Sequence, residues 1–439
     1  MKTDFLEMWE EKEYIDRKKK KRKIDIGEGE IDTTMDPFWT IGIREVRMNS
    51  RRLLDILSFL DPETIQKSLL VGDHKEEYLE FLNSSESLSY KRMIGELSRR
   101  RLIAVKDRGD EPAYQIHRLL QQKILEDMED YAFADAFRKA FRLIRKKFPA
   151  ADPRQVPDPG TWDTCQEYIP HISTFCRIRN KNAKLISELV TSPRPTELAE
   201  LFYDAGFYVW ARQTTGYDGL MFLDTAEKIL DEIQMDQNSK IRADILCLTG
   251  LLLLNMGCVE RGKGFHRLEH ALQIRKTIYT ECPNHDNEVL LSNAANDFSL
   301  CLLNEHRFED SGQYIRECRD RYLSWGPESE NPFENSKYYG NYSTILMWKG
   351  EMEKAVEFQR TALGLTEKFS GRKGMYYRRL FMLACLRLQA DDIQGALDTH
   401  MEALTARLEL HGKHHEATIL STYAVGAMYH HLGDLGTAT

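Results

Sequence analysis

The sequence predicts a mainly α-helical protein: an array of stacked helical hairpins, preceded by a smaller helical domain carrying one β-hairpin. Three observations support this. Three sets of small residues recur through the second half of the chain. Glycine- or aspartate-containing turns follow most of the first helices of the hairpins. Around residues 102–116, a strand-like stretch, a turn and a second strand-like stretch interrupt an otherwise helical apolar spacing.

The first set of small residues is Gly206, Gly250, Ser299, Ser343, Ala384 and Gly426. The second is Gly219, Gly264, Ser311, Ala355, Ala396 and Ala438, and the third Ala226, Ala271, Cys318, Ala362 and Ala403. The second set leads the third by 7 residues in every copy. Successive members of the second set lie 45, 47, 44, 41 and 42 residues apart. Two helices approach closely only where the side chains between them are small, and larger residues such as Leu220, Phe222, Leu223, Val356, Leu363 and Leu397 fill the rest. Gly257, Gly350-Glu351, Asp391-Asp392 and Gly433-Asp434 supply turn geometry that helix formers resist. A lone hairpin of this kind cannot bury its own face, so such units stack into a solenoid.

This skeleton resembles the tetratricopeptide repeat, with a period nearer the kinesin-light-chain subtype. The linker His411-Gly-Lys-His-His415-Glu-Ala-Thr is similar to that subtype's. The resemblance implies a right-handed α-solenoid over 198–439, about six repeats with the last one incomplete. It also implies a protein or peptide partner on the concave face, with self-association a further expectation.

Composition narrows the function classes. The chain is 42% hydrophobic and 30% charged, with a net charge of −8 that gives no general pull toward nucleic acid or anionic membrane. The apolar run Ile245–Leu254 is about half the ~20 residues of a spanning helix. The charged N-terminus lacks the apolar core of a signal peptide. Eight cysteines without a CxxC pair argue against a zinc site or disulfide framework, and fit a reducing compartment. The expected location is cytoplasmic, or nuclear through the basic run Arg17–Lys23. No membrane partner and no metal are expected.

Residues 1–45 read as a charged segment or linker, and residues 46–128 as a compact domain. Arg52–Leu60 has helical apolar spacing and stops at Asp61-Pro62. Tyr78–Leu82 and Tyr90–Leu97 continue the helical period. Leu102–Lys106, a turn at Arg108–Pro112 and Ala113–Ile116 form a hairpin, and His117 opens a new helix. Helices followed by a β-hairpin are the winged-helix plan. Residues 129–197 read as a helical bridging segment, with Pro149, Pro153, Pro157 and Pro159 marking a loop and Pro193 and Pro195 a boundary.

Leu53–Pro62, Leu97–Ile103 and Ile116-His-Arg-Leu-Leu-Gln121 resemble the winged helix of fungal NLR-like STAND proteins, which couple an NB-ARC or NACHT NTPase to tetratricopeptide repeats. The joining segments Ala140–Phe148 and Trp162–His171, and Ala205–Trp210, are similar to theirs. The resemblance implies the sensor and coupling part of such a regulator, with the NTPase core that precedes the winged helix in that family expected to be missing. His117 stands where the family carries the histidine of its Met-His-Asp motif, a contact to the β-phosphate of ADP, although Arg118 replaces the aspartate. ADP or ATP is thus expected only if an NTPase domain is supplied, and no other cofactor is expected.

Gly257–Gly264 fits GxxxxGK, yet Gly264 replaces the magnesium-holding Ser or Thr and the preceding segment reads as a repeat helix. Arg99–Arg101 supports a rival reading as a winged-helix DNA-binding regulator with an effector-sensing array. The acidic wing tip, Asp110-Glu111, opposes it and makes nucleic acid an unfavoured partner. A second rival is a kinesin-light-chain-like cargo or scaffold adaptor. No motif has the context of an enzyme active site, so the chain reads as non-catalytic.

The candidate site is the face of the first helices. Positions three and six before each first small residue, and one, four and five after it, point inward. They select Tyr203, Asn293, Asn296, Asn304, Lys337, Thr344, Arg378, Tyr423 and His430, with Arg379 beside Arg378. Asparagine amides both donate and accept, which suits an extended peptide backbone.

Overall fold

A computed structural model describes residues 42–434, apart from 75, 84–87, 108, 110, 156–158, 190–193, 213–215 and 256–257, together with Trp39 and Gly436. The basic run Arg17–Lys23 and Ala438 lie outside the described residues. The chain divides into two compact units, residues 1–150 with 163–205, and residues 151–162 with 206–439.

In the first unit, α1 (Met48–Leu57) forms because its apolar residues fall on one face, and Leu53, Leu54, Ile56 and Leu57 are fully buried. The helix ends before Asp61-Pro62, as the proline requires. Next come β1 (Ile65–Gln66), α2 (Lys67–Leu70), a 3₁₀ turn (Glu77–Leu82) and α3 (Leu88–Arg99). The hairpin strands are β2 (Ala104–Asp107) and β3 (Pro112–Gln115), followed by α4 (Arg118–Asp127). The sheet is antiparallel in the order β1-β3-β2, with Tyr114 facing both Ile65 and Val105.

The expected first strand began at Leu102; the observed ladder begins at Ala104. Arg101 has a positive φ of 55°, and that turn sends Leu102 and Ile103 into the core instead of the ladder. The third strand, two residues long, was too short to leave an alternation in the sequence.

Helices α5 (Asp130–Lys147), α6 (Trp162–Lys181) and α7 (Ala183–Leu189) follow. Phe137 on α5 meets Phe59 edge-on at 5.9 Å and stacks on Phe175 of α6 at 4.3 Å. Two buried polar side chains link elements here. His171 accepts from the Asp61 backbone amide at 3.0 Å and its other nitrogen meets Gln66 Oε1 at 2.8 Å. The Gln121 amide donates to the Ser58 and Leu60 carbonyls.

The hairpins are built from α8 (Glu197–Arg212) and α9 (Gly216–Glu232), α10 (Lys240–Asn255) and α11 (Cys258–Glu281), and α12 (His285–Asn304) and α13 (Phe308–Ser324). They continue with α14 (Pro332–Trp348) and α15 (Met352–Ser370), α16 (Gly374–Gln389) and α17 (Ile393–His411), and α18 (Glu416–His431). Residues of α8 from Gly206 onward belong to the second unit.

The small residues occupy the crossings. A Cβ on Gly250 would stand 2.6 Å from Leu268 Cγ, and one on Gly264 3.0 Å from the Gly250 carbonyl oxygen. Ser311 Oγ donates to the Ser299 carbonyl at 2.9 Å. Ala271, Ala355, Ala362, Ala384, Ala396 and Ala403 are all fully buried. Gly350, Asp391 and Gly433 turn the chain with φ of 78°, 60° and 82°. His306 does the same after α12 with φ of 58°, a position where neither Gly nor Asp marks the turn.

The fold is thus mainly α, a tetratricopeptide-like solenoid with a small sheet in the first unit. No described helix is long and apolar enough to cross a membrane.

Candidate functional site

Six residues before the first small residue, successive repeats carry Asp244, Asn293, Lys337 and Arg378. The same heptad-like offset on α10, α12, α14 and α16 puts these four side chains at one level of the stack. Lys337 Nζ donates to Asn293 Oδ1 at 2.7 Å. The free end of the Asn293 amide donates to the backbone carbonyl of Pro153 at 3.2 Å. Beside it, Arg154 pairs with Asp286 at 3.0 Å and with Asp152 at 2.9 Å. A non-repeat segment, residues 151–155, is therefore held by first-helix side chains.

A second tier lies along the same helices. Asn341 Nδ2 donates to Asn296 Oδ1 at 2.7 Å, and the Asn296 amide leans on Asp297 at 3.4 Å. Cys247 Sγ donates to the other oxygen of Asp297 at 3.3 Å.

Burial sets the electrostatics. It raises Asp297, with Lys337 opposing, and it lowers Lys337, with Glu334 and Asp297 opposing. Asp244 is pushed up to about 6 by burial despite its ion pair with Arg275. The Cys247 thiol is pushed well up by burial and then by Asp297, so it is a poor nucleophile. Hydrogen bonds among such partly buried groups count for more than at an open surface.

The structure brings Asn293 and Lys337 together, while Asn296 meets Asn341 instead. Thr344 is half-buried on α14. Arg378 is exposed on α16, although nearby protein lowers its guanidinium from the usual value. The Arg379 guanidinium rests against Gly340, where a Cβ would stand 1.7 Å from Nη1. Tyr203 is buried and belongs to the first unit. Asn304 ends α12 and His430 lies in the last turn of α18, both exposed, and Tyr423 is 77% exposed.

The expected set omitted Asp244, Asp297 and Asn341. Asp244 sits at the position already chosen for Asn293 and Lys337, so the register itself could have found it. The other two lie two residues before the small residue, a position that the inward-pointing rule did not include.

Other candidates resolve structurally. His117 caps α4, its Nδ1 accepting from the Leu119 amide at 3.3 Å, and its ring lies 5.3 Å from that of Trp39. Gly262, Lys263 and Gly264 are inside α11, with Lys263 paired to Glu260, so no loop presents amides to phosphate. A cleft of about 620 Å³ adjoins Lys263, but its Arg267 is committed to Glu227 at 2.6 Å. Arg99 bonds the Gly95 carbonyl, and Arg100 pairs with Glu45 at 2.8 Å, which partly neutralises that second cation. His411 and His415 stack at 4.4 Å, and His415 caps α18 through the Ala417 amide. Burial first, then His415, Arg212 and Arg407, push His411 down to about 4. Among the described residues no group of acidic, His or Cys side chains is arranged to hold a metal.

A family model described as "Domain of unknown function (DUF7779)" matches residues 41–133. No curated protein matches the chain. Among solved structures the chain is similar to NprR in complex with its cognate peptide NprX, at 13% identity, TM-score 0.44, and 69% of this chain over 81% of that one. It is similar to a STAND protein with a tetratricopeptide-repeat sensor from Pyrococcus horikoshii, at 13% identity and TM-score 0.38, covering 94% of this chain and 64% of that one. It is also similar to aspartyl phosphate phosphatase F from Bacillus subtilis, at 13% identity and TM-score 0.42, covering 94% of this chain and 93% of that one.

Proposed function

We propose that this chain is a non-catalytic interaction module whose solenoid holds an extended peptide or partner segment on the face of its first helices. The observation that supports this most is the seating of residues 151–155. The Asn293 amide donates to the Pro153 carbonyl, while Lys337 fixes that amide's orientation from the next repeat. A side-chain amide reading a main-chain carbonyl binds a backbone whatever its sequence, and flanking ion pairs such as Arg154 with Asp286 add selectivity.

Within this reading the chain is the sensor and coupling part of an NLR-like STAND regulator. The winged-helix-like reading of residues 46–128 and the residues quoted for that resemblance support the assignment. His117 is a nucleotide-sensor position only by that resemblance. Groove occupancy is the signal in this reading, and residues 151–155 are the segment a ligand would displace from Asn293.

Selection of a random-sequence displayed peptide library on the purified chain tests the reading. Binders displaced by a synthetic peptide of residues 150–163, and weakened by Lys337→Ala, support it. Binders indifferent to both would remove the first-helix face from consideration.

A further inference from the structure

The repeat register places two positions side by side: six before the first small residue, and four after the third. In the second repeat these are Asp244 and Arg275, and they form an ion pair. In the fifth repeat the same two positions are Arg378 and Arg407. Where one repeat supplies a carboxylate and a guanidinium, the other supplies two guanidiniums.

The surroundings do not provide the missing anion. Arg378 and Arg379 have no carboxylate partner among the described residues. Arg379 Nε is buried and without a hydrogen-bond partner. Arg407 is buried over the Phe381 ring at 4.7 Å, and its Nη1 donates to the Ala417 carbonyl and Ser421 Oγ, both at 2.9 Å. The charges act on one another: burial first, then Arg378, pushes both Arg379 and Arg407 down to about 10. All three remain charged at neutral pH. Gly340 leaves the floor open for the Arg379 guanidinium to lie flat against the preceding repeat. Like charges gathered in protein without a counter-ion are costly, and a bound oxyanion relieves that cost.

We infer that Arg378, Arg379 and Arg407 form a subsite for an oxyanion carried by a peptide ligand. The inference rests on the peptide-binding reading and gives it a ligand class. The oxyanion is an acidic side chain, a C-terminal carboxylate or a phosphorylated residue. Two guanidinium forks suit each of these, since they offer paired N–H donors to two oxygens at once. Net charge of −8 on the whole chain repels acidic peptides in general, so their binding requires a local site.

Fluorescence anisotropy with labelled hexaglutamate, its C-terminal amide, hexaalanine and a phosphoserine-containing peptide reads the subsite. We expect hexaglutamate or the phosphopeptide to bind about tenfold or more tightly than hexaalanine. Comparison of acid and amide separates a terminal carboxylate from side-chain carboxylates. Arg378→Gln, at a solvent-reached position, should abolish the preference while circular dichroism stays unchanged. Arg378→Asp, which recreates the Asp244–Arg275 arrangement with Arg407, should raise the melting temperature and abolish the preference as well. Equal binding of all the peptides, or an anion preference that survives Arg378→Gln, overturns the inference. If library-selected neutral peptides bind and are displaced by the 150–163 peptide while none of the acidic probes binds, the anion subsite falls and the peptide-binding reading stands. If no peptide binds, both fall.

Discussion

Lys337 Nζ lies 2.7 Å from Asn293 Oδ1, joining two repeats through the side chain that also holds the Pro153 carbonyl. The lysine thus acts at one remove on residues 151–155. Lys337→Met keeps the aliphatic stem but frees the Asn293 amide to rotate. Amide hydrogen exchange across 151–155 should accelerate, and stability should fall by about 1–2 kcal/mol for one charged hydrogen bond in a partly buried site. Unchanged exchange in that segment would separate Lys337 from it.

Ala396 is fully buried where α17 crosses its neighbours. Ala396→Leu adds three heavy atoms to that crossing and should cost about 1–3 kcal/mol. Thermal melting followed by circular dichroism measures it. An unchanged midpoint would place this residue off the contact.

Gly250 and Gly262 make a matched pair. Gly250→Ala puts a Cβ 2.6 Å from Leu268 Cγ and should destabilise by about 1–3 kcal/mol. Gly262 has no heavy atom within 4 Å of the corresponding position and sits inside α11. Gly262→Ala should therefore stabilise by about 0.5–1 kcal/mol, as expected for a helix-interior glycine and not for a phosphate loop. Urea denaturation of the two variants gives both signs in one experiment.

His171 is 1% exposed and burial pushes it down to about 3, against an ordinary value of 6.5. Between those values the unfolded chain binds the extra proton, so this residue's contribution to stability is lost as pH falls from about 6.5 toward 3. The slope is about 1.4 kcal/mol per pH unit for one proton. Asp55 and Asp244, both raised to about 6 by burial, act in the opposite sense below pH 6. Comparing wild type with His171→Asn cancels those two, and wild type should lose stability relative to the variant as pH falls from about 6.5 toward 3. If the two proteins lose stability in parallel, His171 is not the group responsible.

Much of the solenoid was legible because close helix crossings restrict side-chain size at positions such as Gly250, Ala355 and Ala396. Those restrictions recur with the repeat, and recurrence is visible in a single sequence. Asn293, Asn296 and Lys337 were legible for the same reason, since register alone places them on the first helices. Residues 151–155 were not: the prolines around them marked a loop, and nothing local encodes where a loop packs. Asp297 and Asn341 gained their meaning from Cys247 and Asn296, partners one repeat away. The register selected Arg378, but the missing carboxylate opposite Arg407 emerged only when the ion pair of the second repeat was compared with the fifth. His117 was legible as the residue that opens a helix, and its ring caps α4.

The claim that first-helix side chains hold an extended peptide is tested most directly by titrating a library-selected peptide into wild-type protein and into Asn293→Ala. The account predicts that affinity falls about tenfold or more while far-UV circular dichroism at the titration temperature shows the variant still folded. Equal affinity for the two proteins would contradict it.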